Sequence, residues 1–177
     1  MNRRLCLAGI GALSLTLSQA PLQQAFSQEL GETANKLLSA ASPLGDRSLG
    51  SADAPVVMIE YASATCPHCA EFHAKLLPQI KTEYIDTGKV RFIFREFPLD
   101  QLALGAFMLA RCVSEDKYFA TIDLMFRRQR TWAKAKNPAD ELFKITQMAG
   151  MDQAGFEACV KREDLAKAIV ETSKKAA

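Results

Sequence analysis

Residues 56–69 read Val56-Val57-Met58-Ile59-Glu60-Tyr61-Ala62-Ser63-Ala64-Thr65-Cys66-Pro67-His68-Cys69. Apart from Glu60, the first six are apolar or aromatic and partly β-branched. Bounded by Pro55 and Ser63, they predict a buried strand. A helical pattern begins at Cys66. Phe72, Leu76 and Ile80 step by four, and His73, Leu77 and Tyr84 widen the same face. Pro78 is expected to kink this helix and Gly88 to stop it. Val90-Arg91-Phe92-Ile93-Phe94-Arg95 is the second strand, ended by Phe97-Pro98. Strand, helix and strand in this length form a βαβ unit, so the two strands should run parallel.

Everything after Pro98 reads as helical. Leu102, Ala106, Leu109 and Val113 share one face of Leu99 to Ser114. Phe119, Ile122, Met125 and Phe126 do so between Lys117 and Trp132, and are expected in a core rather than a substrate groove. Asn137-Pro138 opens a helix through Met148, stopped by Gly150. Asp152 caps a short one through Val160, and Leu165 to Ser173 is the last. Arg127-Arg128-Gln129-Arg130 is read as a solvated helix face. No third strand is visible.

Composition sets outer bounds. The chain has 177 residues, 49% hydrophobic and 24% charged, which excludes disordered and collagen-like classes and fits one domain. Upstream, Arg3-Arg4 precede an apolar run of 13 residues, Leu5 to Leu17, shorter than the roughly 20 needed to span a bilayer. Ala25-Phe26-Ser27 has the small-x-small form of a cleavage site. Residues 1–27 are therefore read as a secretory signal peptide, and 28–49 as an N-terminal extension. Without Arg3 and Arg4 the formal charge falls from +2 to zero, which argues against a nucleic-acid binder. Of five cysteines, Cys6 leaves with the leader. An even set of Cys66, Cys69, Cys112 and Cys159 in an oxidising compartment reads as disulfides.

The C-x-x-C at Cys66-Pro67-His68-Cys69 carries the chemistry. The first turn of a helix presents unpaired N–H groups and the positive end of the dipole. A thiolate there is stabilised, and such settings lower a cysteine pKa from ~8.5 toward ~3.5–7.5. Cys66 is expected to be exposed and nucleophilic, and Cys69, one turn in, the more buried resolving thiol. Pro67 fits a position where no N–H is needed. A His68 imidazole beside Cys66 would favour the thiolate further. A stabilised thiolate stabilises the reduced form, so the disulfide becomes a stronger oxidant. Glu60, the one acid in its strand, can accept a proton from the buried thiol.

Other uses of the motif fit less well. Haem attachment requires histidine at position 70, which is alanine. Zinc binding would need Cys66, Cys69, His73 and a fourth ligand, but the chain has two histidines and one C-x-x-C. His73 is read as a helix-face residue, and no metal or cofactor is implied. Cys112 and Cys159 form either a structural bridge, the expected case, or a second redox pair.

Gly50-Ser51-Ala52-Asp53-Ala54-Pro55, the strand bearing Glu60, the Cys66–Cys69 motif and Phe94-Arg95-Glu96-Phe97-Pro98-Leu99 together resemble the DsbA-like branch of the thioredoxin superfamily. The likeness runs from about Gly50 to the chain end, Lys117-Tyr118-Phe119 included. It implies a thioredoxin-like α/β domain over residues 50–177, with a helical insertion at about 99–177. It implies a periplasmic thiol:disulfide oxidoreductase that oxidises reduced exported proteins. Re-oxidation would come from a membrane partner of the DsbB type, with no nucleic acid and no stable membrane insertion of its own. Cys66 would be the nucleophile, Cys69 the resolving cysteine, His68 the redox-tuning residue and Glu60 the buried acid, with Pro67 the fourth member of the motif. The Cys112–Cys159 pair would be an extra structural disulfide.

The family also carries a cis-proline loop, two further strands and a closing helix after the insertion. Here the last proline is Pro138, so the domain is expected to be truncated before that loop, with the Val56–Tyr61 strand open along one edge. Two other readings follow from that gap: an inactive or partner-completed remnant, or a redox-regulated binding module.

Overall fold

The computed structural model describes Lys36 and residues 43–176. The leader and most of the extension expected at 28–49 lie outside the described residues. Strand β1 spans Arg47–Leu49, β2 Val56–Ala62 and β3 Val90–Glu96. Helix α1 spans Pro67–Lys75 and α2 Leu77–Ile80, followed by one wide π turn at Lys81–Ile85. Helix α3 is Gln101–Cys112, α4 Tyr118–Arg127, α5 Gln129–Trp132, α6 Pro138–Met148, α7 Gln153–Val160 and α8 Glu163–Ala176.

The βαβ unit forms as the pattern predicts. β2 pairs with β3 in parallel, with Glu60 opposite Phe94. Pro78 follows the break between α1 and α2, and Gly88 ends the crossover at a φ of 76°. A third strand is new. β1 pairs antiparallel with β3, placing Arg47 opposite Phe94, so the strand order is β1-β3-β2. Three residues are too few to stand out by alternation, and β1 falls inside the stretch expected to be an extension. Its seam with β3 depends on Gly50, whose φ is 88° and where a Cβ would lie 2.5 Å from the Val90 carbonyl oxygen.

Burial follows the open edge expected of β2 rather than the full burial its composition suggests. The more apolar-looking strand, β2, lies at an edge of the sheet among the described residues, and Val56 and Val57 are 54% and 41% exposed. β3 lies between the other two, and Phe92, Ile93 and Phe94 are buried. Helix α3 is apolar on most sides and is enclosed accordingly, packing against α7 and α8. Helix α4 packs on α1, and α8 touches β3. The predicted face of Phe126, Met125 and Ile122 is core, as is Trp132, whose indole N–H donates to the Met125 carbonyl at 2.7 Å.

Two devices tie the helices to one another and to the sheet. Cys112 at the end of α3 and Cys159 in α7 are disulfide-bonded, with Cα atoms 6.1 Å apart. At the end of β3, the buried Glu96 carboxylate accepts from Arg111 Nε and Nη2, the latter at 2.9 Å, and from the Tyr118 hydroxyl at 2.6 Å. Arg111 Nη1 also donates to the carbonyls of Leu44 and Gly45. Next along β3, Arg95 holds both oxygens of Asp46 at 2.9 Å and reaches the Tyr61 hydroxyl. These pairs anchor the approach to β1, which explains why so short a strand is held.

Two stability outcomes are expected in urea unfolding. Arg111→Met leaves Glu96 buried without its cation and should cost about 3–5 kcal/mol. Replacing Cys112 and Cys159 by alanine together opens a 47-residue separation and should cost about 4 kcal/mol in the loop-entropy account.

Candidate functional site

The site lies where β2 ends and α1 begins. Cys66 is the N-cap of α1, with extended backbone, and Pro67 occupies the first turn. The Cys66 Sγ accepts the Cys69 backbone N–H at 3.4 Å. Burial alone pushes the Cys66 thiol up. Hydrogen bonds from the Cys69 thiol and from the backbone N–H groups of Cys69 and His68 outweigh it, and the thiol ends below its ordinary value. Cys69 goes the other way. Burial, the hydrogen bond with Cys66 and the charges of Cys66 and Glu60 push it up to about 12, against one hydrogen bond from Ser63. The two sulfurs are thus held in opposite preferences, one toward thiolate and the other toward thiol.

Both cysteines are free thiols and half-buried, with Cys69 the more deeply enclosed. Cys66 is therefore less exposed than expected. His68 is exposed, and what it supplies to the Cys66 sulfur is its backbone N–H. The charge of its imidazole instead acts on Glu71, whose carboxyl is held below its usual range mainly by Lys75.

The charge of Glu60 opposes ionisation of both sulfurs. Its carboxylate meets the His73 Nε2 at 2.9 Å. The His73 side chain is only 2% exposed, so the helix-face residue of the sequence pattern is instead a buried partner of Glu60.

Gln129 is a second residue that the pattern misplaces. Arg127, Arg128 and Arg130 are exposed as a solvated face requires, but Gln129 is buried. Its amide N–H groups donate to the carbonyls of Ala64 and Cys66, each at 2.8 Å. Ser63 and Thr65 complete the brace. The Thr65 hydroxyl donates to Asp100 at 2.7 Å, and the Leu99 N–H donates to the Ser63 hydroxyl at 3.3 Å. Asp100 in turn caps α3. The loop carrying Cys66 is thus fixed from the helical side of the molecule. No local pattern reports this, because residue separations of 63 and 65 join the amide to its acceptors.

Gln129→Leu keeps the volume but leaves two carbonyls without that donor. It should lower stability by about 2 kcal/mol and speed amide exchange selectively in residues 63–66, measured by hydrogen exchange. Uniform exchange with unchanged stability would remove the brace from the account.

A family model described as thioredoxin matches residues 43–177. A putative protein-disulfide oxidoreductase of Rickettsia bellii is 32% identical over 126 residues, covering 71% of this chain and 49% of the relative. A probable disulfide bond formation protein D of Bacillus cereus is 29% identical over 136 residues, covering 73% and 63%. The crystal structure of Wolbachia pipientis alpha-DsbA1 superposes with a TM-score of 0.69 at 37% identity, over 74% of this chain and 67% of that one. The chain spans about half the length of the rickettsial relatives it matches.

Proposed function

The chain belongs to the thioredoxin superfamily, in its DsbA-like branch, and from that membership we propose that it is a thiol:disulfide oxidoreductase that introduces disulfides into exported proteins. The observation that carries this is the opposed ionisation of two sulfurs at one helix start. Cys66 is lowered by hydrogen bonds at the N-terminus of α1, and Cys69 is raised to about 12. A disulfide whose reduced form contains a stabilised thiolate is an oxidant.

In the proposed cycle a substrate thiolate attacks Cys66 Sγ of the Cys66–Cys69 disulfide. The bond between the two enzyme sulfurs breaks, and Cys69 leaves with the electron pair and takes a proton. A second substrate thiolate then attacks the substrate sulfur of the mixed disulfide and releases Cys66 as the thiolate. Two electrons pass from the substrate pair to the enzyme pair. In this scheme Cys66 is the nucleophile of the reverse reaction, Cys69 resolves, Pro67 starts the helix, His68 tunes the exposed end and Glu60 handles the proton. The compartment proposed is the periplasm, with reduced exported proteins as substrates and a membrane re-oxidant of the DsbB type. No described helix is long and apolar enough to cross a membrane.

A second reading is that the motif turns over only when a further segment covers β2. The exposed Val56 and Val57 favour it.

Oxidised protein mixed with a reduced, unfolded substrate protein should form substrate disulfides. Cys66→Ser should abolish the reaction, and the Cys112→Ala/Cys159→Ala pair should keep it. A wild-type rate no higher than that of Cys66→Ser rejects the first reading. Recovery of the rate on adding a strand-forming peptide that protects β2 supports the second.

A further inference from the structure

We propose that His73 is the proton-carrying partner of Glu60, so that the two side chains pass a proton between Cys69 and solvent in each redox cycle. The inference rests on the oxidoreductase reading above and names a residue that reading does not use.

Four observations place it. First, Nε2 of His73 and Oε2 of Glu60 are 2.9 Å apart, with the side chains 2% and 12% exposed, so neither has water as its main partner. Second, Cys69 and His73 are four residues apart on α1 and lie on one face of it, and His73 reaches Glu60 of β2. The charge of Glu60 is felt by Cys69. Third, the imidazole is held in one orientation by rings on three elements. Its centroid is 4.2 Å from that of Phe126, 5.7 Å from Phe94 and 5.8 Å from Phe72. Fourth, His73 lines a surface cleft together with Leu49, Leu77, Lys81, Asp123 and Arg127. The ring therefore bridges a buried carboxylate and a route to solvent.

The chemistry needs such a bridge. When the disulfide opens, Cys69 departs as a thiolate in a place that disfavours the anion, and it must gain one proton. When the enzyme is re-oxidised, the same proton must leave. Glu60 is near enough for its charge to act on Cys69, and its mostly buried carboxylate spends its Oε2 on the His73 ring. A neighbouring imidazole can supply the proton to the carboxylate and refill from the cleft. The groups that face the pair are few. Helix α1 gives the two cysteines. β3 gives Phe94. Helix α4 gives Phe126, with Asp123 and Arg127 at the cleft, and the turn after α2 gives Lys81. His73 acts through Glu60 and is a positioning and proton-sharing residue rather than one that touches substrate.

Two variants separate proton transfer from structural support. His73→Gln keeps a hydrogen-bond donor toward Glu60 but carries no exchangeable charge, and His73→Phe removes both. Oxidation of a cysteine-containing peptide by the oxidised full-length protein is followed from about pH 5 to about pH 9 and corrected for the peptide's thiolate fraction. The wild-type rate should fall with rising pH as the imidazole gives up its proton. His73→Gln should lose that limb and run about 10-fold slower on its acid side. Superimposable wild-type and His73→Gln profiles overturn the proposal, because a donor alone then suffices.

A second measurement needs no turnover. The chain has two histidines, and the imidazole nitrogen signal absent from His73→Gln identifies the one in question. By nuclear magnetic resonance its titration midpoint should differ between the disulfide and dithiol forms of the wild-type protein. An identical midpoint in both forms overturns the proposal, whatever the oxidation assay gives. An inert wild type with a redox-sensitive His73 instead rejects the oxidase reading and keeps the coupling.

Discussion

The structure is organised around one sulfur at the start of one helix. Cys66 ends the chain's exit from β2 and caps α1, so its side chain stands where the helix leaves N–H groups without partners. The hydrogen bonds that satisfy those donors also favour the thiolate, alongside the larger one from the Cys69 thiol. A cap and a reactive group are here a single atom. The remainder of the domain keeps that atom in place: β3 fixes β2, α4 backs α1, and Gln129 holds the carbonyl of Cys66 itself.

Much of this is written in local patterns. The strand at Val56–Tyr61, the helix at Cys66, the Pro78 break, the Gly88 stop and the later helical segments follow from periodicity and capping, because each depends on neighbours a few residues away; only the division of Lys117–Trp132 into α4 and α5 does not. Asp152 is a clear case, since its carboxylate accepts the Gly155 N–H as the sequence pattern requires. The redox motif was equally legible, because its spacing alone puts two sulfurs on the first turn of a helix.

What was not legible depends on distant partners. β1 is three residues long and exists because Asp46, Leu44 and Gly45 are held by Arg95 and Arg111 from elsewhere in the chain. Gln129 sits in a run of arginines and looks solvated, yet its amide faces inward to a loop over 60 residues away. His73 fits the apolar face of its helix by position, and only the third dimension supplies Glu60. In all three the deciding contact is a polar one between groups far apart in sequence. Burial makes such contacts specific, since a buried donor without its acceptor is costly. The outer strand is the converse case. Val56 and Val57 promise burial by composition, but burial needs a neighbour, and among the described residues β2 has one on a single side.

The account stands on unequal sulfurs, and ultraviolet titration of the reduced protein measures that inequality directly, with Cys66→Ser assigning the steps. One thiol should become a thiolate below the value of a free cysteine, and the other should stay protonated to about pH 12. Two sulfurs that ionise together, at or above the free-cysteine value, would contradict it.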